Sequence, residues 1–120
     1  MVNVIVVVRR PGEATPDYSL DFDLPEVPSI GNYISIRRLD SREPFGEDMI
    51  VRHVWWRLLH SETHGFSSET QKPGSLVEIF VECDPALSPY SSQHWRARLN
   101  VAKAKGVEIE DFQVSRRSLI

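Results

Sequence analysis

The chain has 120 residues, of which 41% are hydrophobic and 26% charged, and its formal net charge is −3. A chain of this length and composition buries enough apolar surface to form one domain without a structural metal or a disulfide. We therefore predict a single domain over residues 1–120, with no overall field that would attract nucleic acid or an anionic membrane.

The charge is unevenly distributed along the chain. Residues 1–93 carry 8 basic and 14 acidic side chains (8 − 14 = −6), whereas residues 94–120 carry 6 basic and 3 acidic ones (6 − 3 = +3). This distribution predicts a mildly basic C-terminal element on an acidic body.

Cys83 is the single cysteine, so the chain cannot form an internal disulfide, which fits a reducing cytoplasm. The apolar run over residues 2–8 is too short to span a membrane. It also lacks the basic start and the small-residue cleavage site of a secretory signal. We predict a cytoplasmic protein that does not associate with membranes.

The first 36 residues predict three strands. Residues 2–8 are almost all β-branched, which disfavours a helix, and residues 18–24 alternate apolar and polar side chains as a half-buried strand does. Pro25, Pro28 and Gly31 then form a turn that leads into a third strand over residues 33–36. We expect this strand and the next one along the chain to be neighbours at the centre of the sheet.

Residues 49–59 form the longest apolar-rich run in the chain, and residues 75–83 form a further strand with one apolar face. In the first run, apolar side chains occupy both parities: Trp56 and Leu58 on one, Trp55 and Leu59 on the other. This pattern predicts a strand that twists between two buried faces or contains a bulge. The polar loop over residues 60–74 follows it.

A helix is predicted from an N-cap at Ser91 or Ser92 to about Lys105, with Gly106 as its stop. Residues 84–90 are expected to form a proline-rich crossover before it, and residues 107–114 a short final strand. The predicted fold is α+β, with a strongly curved, mostly antiparallel sheet or small β-barrel of five to six strands and one helix in the C-terminal half.

One stretch resembles a known arrangement. The pattern Leu24-Pro25-x-x-Pro28-x-x-Gly31-x-x-Ile34, followed by Val51-x-x-Val54-x-Trp56, is similar to one in short bacterial proteins with a small β-barrel core. In those proteins an acidic residue often follows the glycine, whereas this chain has Asn32. The resemblance covers about a third of the chain and implies the fold alone, with no catalytic residues.

Histidine and cysteine side chains raise two chemical hypotheses. His60 and His64 are four residues apart, with Glu62 as a third metal ligand and His53 or Cys83 as a fourth. Cys83 is also a candidate nucleophile with His53 or His94 as its base. We favour exposed loop histidines and a buried, inert Cys83, because no metal or nucleophile signature surrounds these residues, so we predict no metal, no cofactor and no catalytic residues.

A binding surface is predicted from aromatic and basic side chains on the two central strands and the helix. Its residues are Arg37, Arg52, Trp55, Trp56, Arg57, Arg96 and Lys103. An exposed tryptophan flanked by arginines stacks and neutralises single-stranded nucleic acid. The alternative is that one of the two adjacent tryptophans packs under the helix, against Trp95 or Leu99, and the negative net charge favours this alternative.

We predict a non-enzymatic binding or interaction module that binds a protein partner or a second copy of itself. A long two-sided apolar strand favours self-association, because exposed apolar patches are usually interfaces. Single-stranded nucleic-acid binding is the alternative, and a small metal-dependent or cysteine hydrolase is the third hypothesis.

Overall fold

The computed structural model of the protein describes residues 1–39, 47–63 and 72–112. These residues form, in chain order, β1 (Val2–Arg9), β2 (Pro16–Leu24), β3 (Tyr33–Ile36), β4 (Glu47–Leu59), β5 (Ser75–Leu87), α1 (Gln93–Ala104) and β6 (Glu110–Asp111). The strands form a strongly curled half-barrel in the order β2-β1-β5-β4-β3, and β6 pairs with β5. This confirms the predicted α+β fold with a curved sheet and one helix in the C-terminal half.

The sheet is mostly antiparallel, and only β5 pairs in parallel, with β1 and with β6. β3 and β4 are antiparallel neighbours as expected, from the Tyr33–Ile50 pair to the Ile36–Glu47 pair. The expectation that both lie at the centre is wrong, because β5 is central and the short β3 is an edge strand. The turn before β3 follows the predicted chemistry: Gly31 has φ +93° and donates to the Val51 carbonyl oxygen at 2.8 Å.

The core lies inside the curl and draws on every long strand. Alternate residues of β1 and β5 point into it because successive side chains of a strand face opposite sides of the sheet. Its fully buried members have no more than 1% exposure: Val4, Val6, Met49, Val51, Ile79, Val81 and Cys83. Half-buried side chains of both edge strands, among them Phe22 on β2 and Ile34 on β3, pack against them.

β5 is longer than predicted, because residues 84–87 continue the strand that was expected to end at Cys83. Pro85 is tolerated there for a geometric reason. Val51 exchanges hydrogen bonds with Gly31 and Asn32, so Val51 and Cys83 form a pair without hydrogen bonds in the β4–β5 ladder. Two residues on, the pair between Met49 and Pro85 is of the same kind, and the missing N–H of Pro85 costs no bond to β4.

The helix follows the predicted boundaries. The Ser92 side chain accepts a hydrogen bond from the Trp95 amide at 3.1 Å, and Gly106 follows the helix with φ +89°. Trp95 and Leu99 are buried against Leu87 at the end of β5. The final strand is shorter than predicted, since only residues 110–111 pair with β5, and residues 113 and 114 lie outside the described residues.

Candidate functional site

The β4–β5 hairpin extends beyond the rest of the sheet. β3 pairs with β4 only up to Ile50, and β1 pairs with β5 only from Phe80 onward. We call residues 53–59 of β4 and 75–82 of β5 the ribbon. Within the described ranges, no third strand flanks the outer edge of its β4 half, because β4 has 13 residues and β3 only 4.

The ribbon exposes a concentration of large apolar side chains. Their exposed fractions run from 46% to 72%, and we call the following set the apolar ribbon patch: Trp55, Trp56, Leu58, Leu59, Leu76 and Val77. Together they expose on the order of 700 Å² of apolar side chain, divided between the two faces of the ribbon. This patch is the candidate functional site.

On the convex face, Trp55 is fixed by its polar end. Its indole Nε1 donates a hydrogen bond to Glu82, whose other carboxylate oxygen lies 3.5 Å from Arg9 Nη2. Arg9 Nη2 also lies 3.1 Å from Nδ1 of His53, which therefore accepts the hydrogen bond and carries its own proton on Nε2. The 59% exposed indole thus keeps a defined orientation while its ring faces solvent.

Arg57 lies on the same face and is bound within the ribbon. Its Nη1 is 2.8 Å from Glu78 on the opposite strand, and its guanidinium lies 6.0 Å from the ring centroid of Phe80. Phe80 is in turn the cross-strand partner of Trp55. Both the tryptophan and the arginine are therefore ordered by neighbours across the hairpin before any partner binds.

The other tryptophan lies on the concave face. Trp56 pairs with Ile79, which is fully buried in the core, yet 54% of Trp56 remains exposed. The expectation that one of the two adjacent tryptophans packs under the helix is wrong. The space between the helix and the sheet is filled by Trp95 of the helix, whose indole donates to the Ala86 carbonyl oxygen at 2.9 Å.

Two bulges shape the β4–β5 hairpin, and the one in β4 matches one of the two alternatives that its two-sided apolar pattern predicted. The register shifts place Arg52 on β4 and Val77 on β5 as the extra residues. A bulge redirects its side chain, and Arg52 accordingly leaves the ribbon for Asp84, at 3.2 Å, and Glu110, at 3.5 Å. There it lines a cleft of about 250 Å³ together with Arg9.

The remaining predicted binding residues are elsewhere. Arg37 is exposed and lines a largely apolar cavity of about 190 Å³ between the edge strands β2 and β3. Arg96 donates to the Ser88 carbonyl oxygen at 2.5 Å, and Lys103 Nζ lies 3.0 Å from Asp111. The structure thus brings Trp55, Trp56 and Arg57 together, with Arg52 at the base of the ribbon. Arg96 and Lys103 make local contacts near the helix instead.

The candidate metal and nucleophile residues are also dispersed. The Nε2 of His60 donates to the Lys72 carbonyl oxygen at 2.7 Å, and its Nδ1 accepts from the Glu62 amide at 3.2 Å. His64 lies outside the described residues. Cys83 is completely buried, as its parity predicted, and burial, with a smaller contribution from Asp84, raises its pKa to about 12. Over the described ranges, no group of three or more potential ligands is placed to hold a metal.

Sequence reasoning missed the leucines and the valine of the patch. It assigned Leu58 and Leu59 to faces of a buried strand, and it predicted an N-terminal boundary at Ser75 without expecting Leu76 and Val77 to be exposed. The length of the strands could have revealed them. The apolar-rich run over residues 49–59 has 11 residues, whereas the neighbouring predicted strand over residues 33–36 has four, so the longer strand must extend beyond the shorter one.

None of the helical segments that the structure describes has the length and apolarity needed to cross a membrane. No family model, no curated protein and no solved structure matches this chain.

Proposed function

We propose that the chain is a non-enzymatic protein-binding module and that the apolar ribbon patch is its binding surface. The observation that supports this proposal best is the exposure of both Trp55 and Trp56, one on each face of the same ribbon. Tryptophan is strongly enriched among residues that dominate binding energy at protein interfaces. An apolar patch on a hairpin loses less conformational entropy on binding when a large side chain such as Trp55 is ordered beforehand.

The charge around the ribbon also favours a protein over nucleic acid. Arg57 is paired with Glu78, and Arg52 with Asp84 and Glu110. Nucleic-acid affinity depends on basic side chains that neutralise phosphates, and carboxylates at these positions oppose the approach of a phosphate. Trp55 itself donates to Glu82, which places a further acid beside the stacking surface.

The hydrolase hypothesis finds less support in the geometry. A pKa of about 12 keeps the Cys83 thiol protonated at neutral pH, and the residue is fully buried, so neither a thiolate nor access for a substrate is provided. His53, the base suggested for it, accepts a hydrogen bond from Arg9 on the convex face.

We also propose that the protein is cytoplasmic and that it is related to short bacterial proteins with a small β-barrel core.

An affinity-capture experiment tests the protein-binding proposal. Tagged chain is mixed with untagged chain and with a bacterial lysate, and the retained proteins are identified by mass spectrometry. Trp55→Lys combined with Trp56→Lys removes both tryptophans of the patch, while Val101→Lys changes a side chain of similar exposure (57%) on the helix. We expect proteins retained by the wild type and by the helix variant to be lost from the double variant. If the double variant retains the same proteins as the wild type, the proposal is contradicted.

Fluorescence anisotropy with a labelled single-stranded oligonucleotide tests the alternative. Low salt is the most sensitive condition, because contacts to phosphates are strongest there. We expect no binding even at low salt, because the ribbon arginines are already paired with carboxylates. Binding at low salt that weakens as salt rises and disappears in Arg57→Ala would favour the nucleic-acid function instead.

A further inference from the structure

We propose that the partner of the ribbon is a second copy of this chain, which pairs antiparallel with it along the outer edge of β4. This inference rests on the proposed function and specifies the occupant of the same surface. It is carried by three observations on the ribbon: an edge with no third-strand partner among the described residues, the complementarity of that edge to itself, and the position of the patch beside it.

The two edges of the ribbon differ in how well they are protected. On β5, the extra residue Val77 interrupts the regular ladder, and bulges are one of the devices that prevent edge-to-edge pairing. On β4, residues 53–59 continue without a bulge up to Arg57, contain no proline and no lysine, and have no third-strand partner among the described residues. A long, mostly apolar edge of this kind is a template for another strand.

The β4 edge is complementary to itself when two copies are related by a two-fold axis at Trp56. In an antiparallel pair centred there, Trp55 of each copy lies opposite Arg57 of the other, on the same face of the sheet. A guanidinium beside an indole ring is a favourable cation–π arrangement, and it occurs twice in the dimer. The two Trp56 side chains become neighbours on the other face, where cross-strand aromatic pairs are stabilising.

The position of the patch suits this arrangement. Four of its six side chains lie on β4, beside the edge that pairs: Trp55, Trp56, Leu58 and Leu59. A second ribbon alongside extends the sheet and shields the flanks of these side chains on both faces. A two-fold interface uses one surface twice, and it is the commonest symmetry of homo-oligomers.

Light scattering coupled to size exclusion, from low to high micromolar concentration, measures the dimer. We expect the wild type and Val101→Lys to dimerise and Trp56→Lys to weaken dimerisation by roughly 100-fold or more, since each substitution changes both copies. Amide hydrogen exchange over residues 53–59 of the wild type should slow as concentration rises. A wild-type monomer at high concentration, or a dimer unaffected by Trp56→Lys, would overturn the inference.

The register has its own test. His53→Cys with Leu59→Cys places introduced thiols opposite each other between copies, because 53 and 59 are equidistant from Trp56, and mild oxidation should link the dimer. His53→Cys with Leu58→Cys places them out of register and serves as the control. Equal linking of both pairs would overturn the antiparallel pairing about Trp56. A chain that stays monomeric but captures other proteins through the patch would overturn this inference and leave the proposed function standing.

Discussion

Tyr18 on the edge strand β2 donates a hydrogen bond to Glu47 at the start of β4, the neighbour of the other edge strand β3, and this contact spans the opening of the half-barrel. Arg38, just after β3, adds to it: its guanidinium lies 4.2 Å from the ring centroid of Tyr18 and 2.6 Å from Glu47. Side chains thus close one end of the opening between β2 and β3. Burial and the Glu47 carboxylate raise the pKa of Tyr18.

Tyr18→Phe should therefore lower the free energy of unfolding by about 1.5–3 kcal/mol, the range for a hydrogen bond to a charged group. The ring and its contact with Arg38 remain, so the loss reports the hydroxyl alone. Urea unfolding followed by circular dichroism measures it. Tyr90→Phe is the matched control, because Tyr90 is 89% exposed, and it should change stability by less than about 0.5 kcal/mol. Equal effects of the two substitutions would contradict this role of Tyr18.

Stability should fall as the pH rises above about 9, and Cys83 should contribute to the fall. Its pKa is about 12 in the folded chain, against 9.0 for a free thiol, so the folded state holds the proton more tightly than the unfolded state. The contribution of the protonated thiol to the free energy of unfolding is complete below pH 9. It is lost between pH 9 and 12, at up to about 1.4 kcal/mol per pH unit. Urea unfolding at several alkaline pH values measures the slope. Cys83→Ala should be less stable at pH 7 and should show a shallower decline, whereas an unchanged slope would show that Cys83 titrates normally.

Asp48 should be a strong determinant of how the helix is attached to the sheet. It is only 7% exposed, and it accepts hydrogen bonds from Ser35 on β3 and from Ser91, next to the helix N-cap. Asp48→Ala leaves both hydroxyls without this acceptor and should cost about 1–3 kcal/mol. Thermal unfolding measures the loss, with Asp21→Ala on the exposed face of β2 as the control. Equal melting temperatures would show that the buried carboxylate contributes nothing.

Tryptophan fluorescence should report the state of the ribbon directly. Trp55 and Trp56 are 59% and 54% exposed, whereas Trp95 is 6% exposed. Iodide should therefore quench most of the emission of a Trp95→Phe variant, while a variant with both ribbon tryptophans changed to phenylalanine should resist quenching. Equal quenching of the two variants, at a concentration low enough for the chain to be monomeric, would show that the ribbon tryptophans are not accessible as the structure has them.

Much of the fold follows from local pattern in the sequence. The β-branched run of β1, the alternation of β2 and the Ser92 and Gly106 boundaries of α1 each depend on neighbours within a few residues, and each was predictable. Register and order depend on which strands meet, and no local pattern determines that. The central position of β5 and the continuation past Pro85 are of this kind.

The candidate site shows the same division. The sequence identified Trp55, Trp56 and Arg57 from residue type, but it assumed that an apolar side chain on a long strand finds a buried face. Whether it does depends on how far β1 and β3 extend beside it, which is a property of the whole sheet. For the same reason the carboxylates that pair with Arg52 and Arg57 could not be assigned from spacing, since they come from β5 and from the chain after the helix.

The free end of the ribbon should depend on Gly74. A Cβ at this position would lie 2.6 Å from the Leu59 carbonyl oxygen and 2.9 Å from Cδ2 of the His60 ring, and the backbone contact cannot be relieved by a side-chain rotation. His60 is itself held by its bond to Lys72, so the end of the hairpin is closely packed. Gly74→Ala should therefore open the last residue pairs.

The expected result is local. Amide exchange over residues 57–59 should accelerate at least tenfold in Gly74→Ala, while the core amides of β1 keep their protection, because a hairpin end opens independently of the global unfolding. Ser75→Ala, at the exposed neighbouring position, is the control and should leave exchange unchanged. If the ribbon is the binding surface, the same opening should weaken capture of its partner without changing the global midpoint of unfolding. Unchanged exchange at residues 57–59 would show that the hairpin end accommodates the added methyl group.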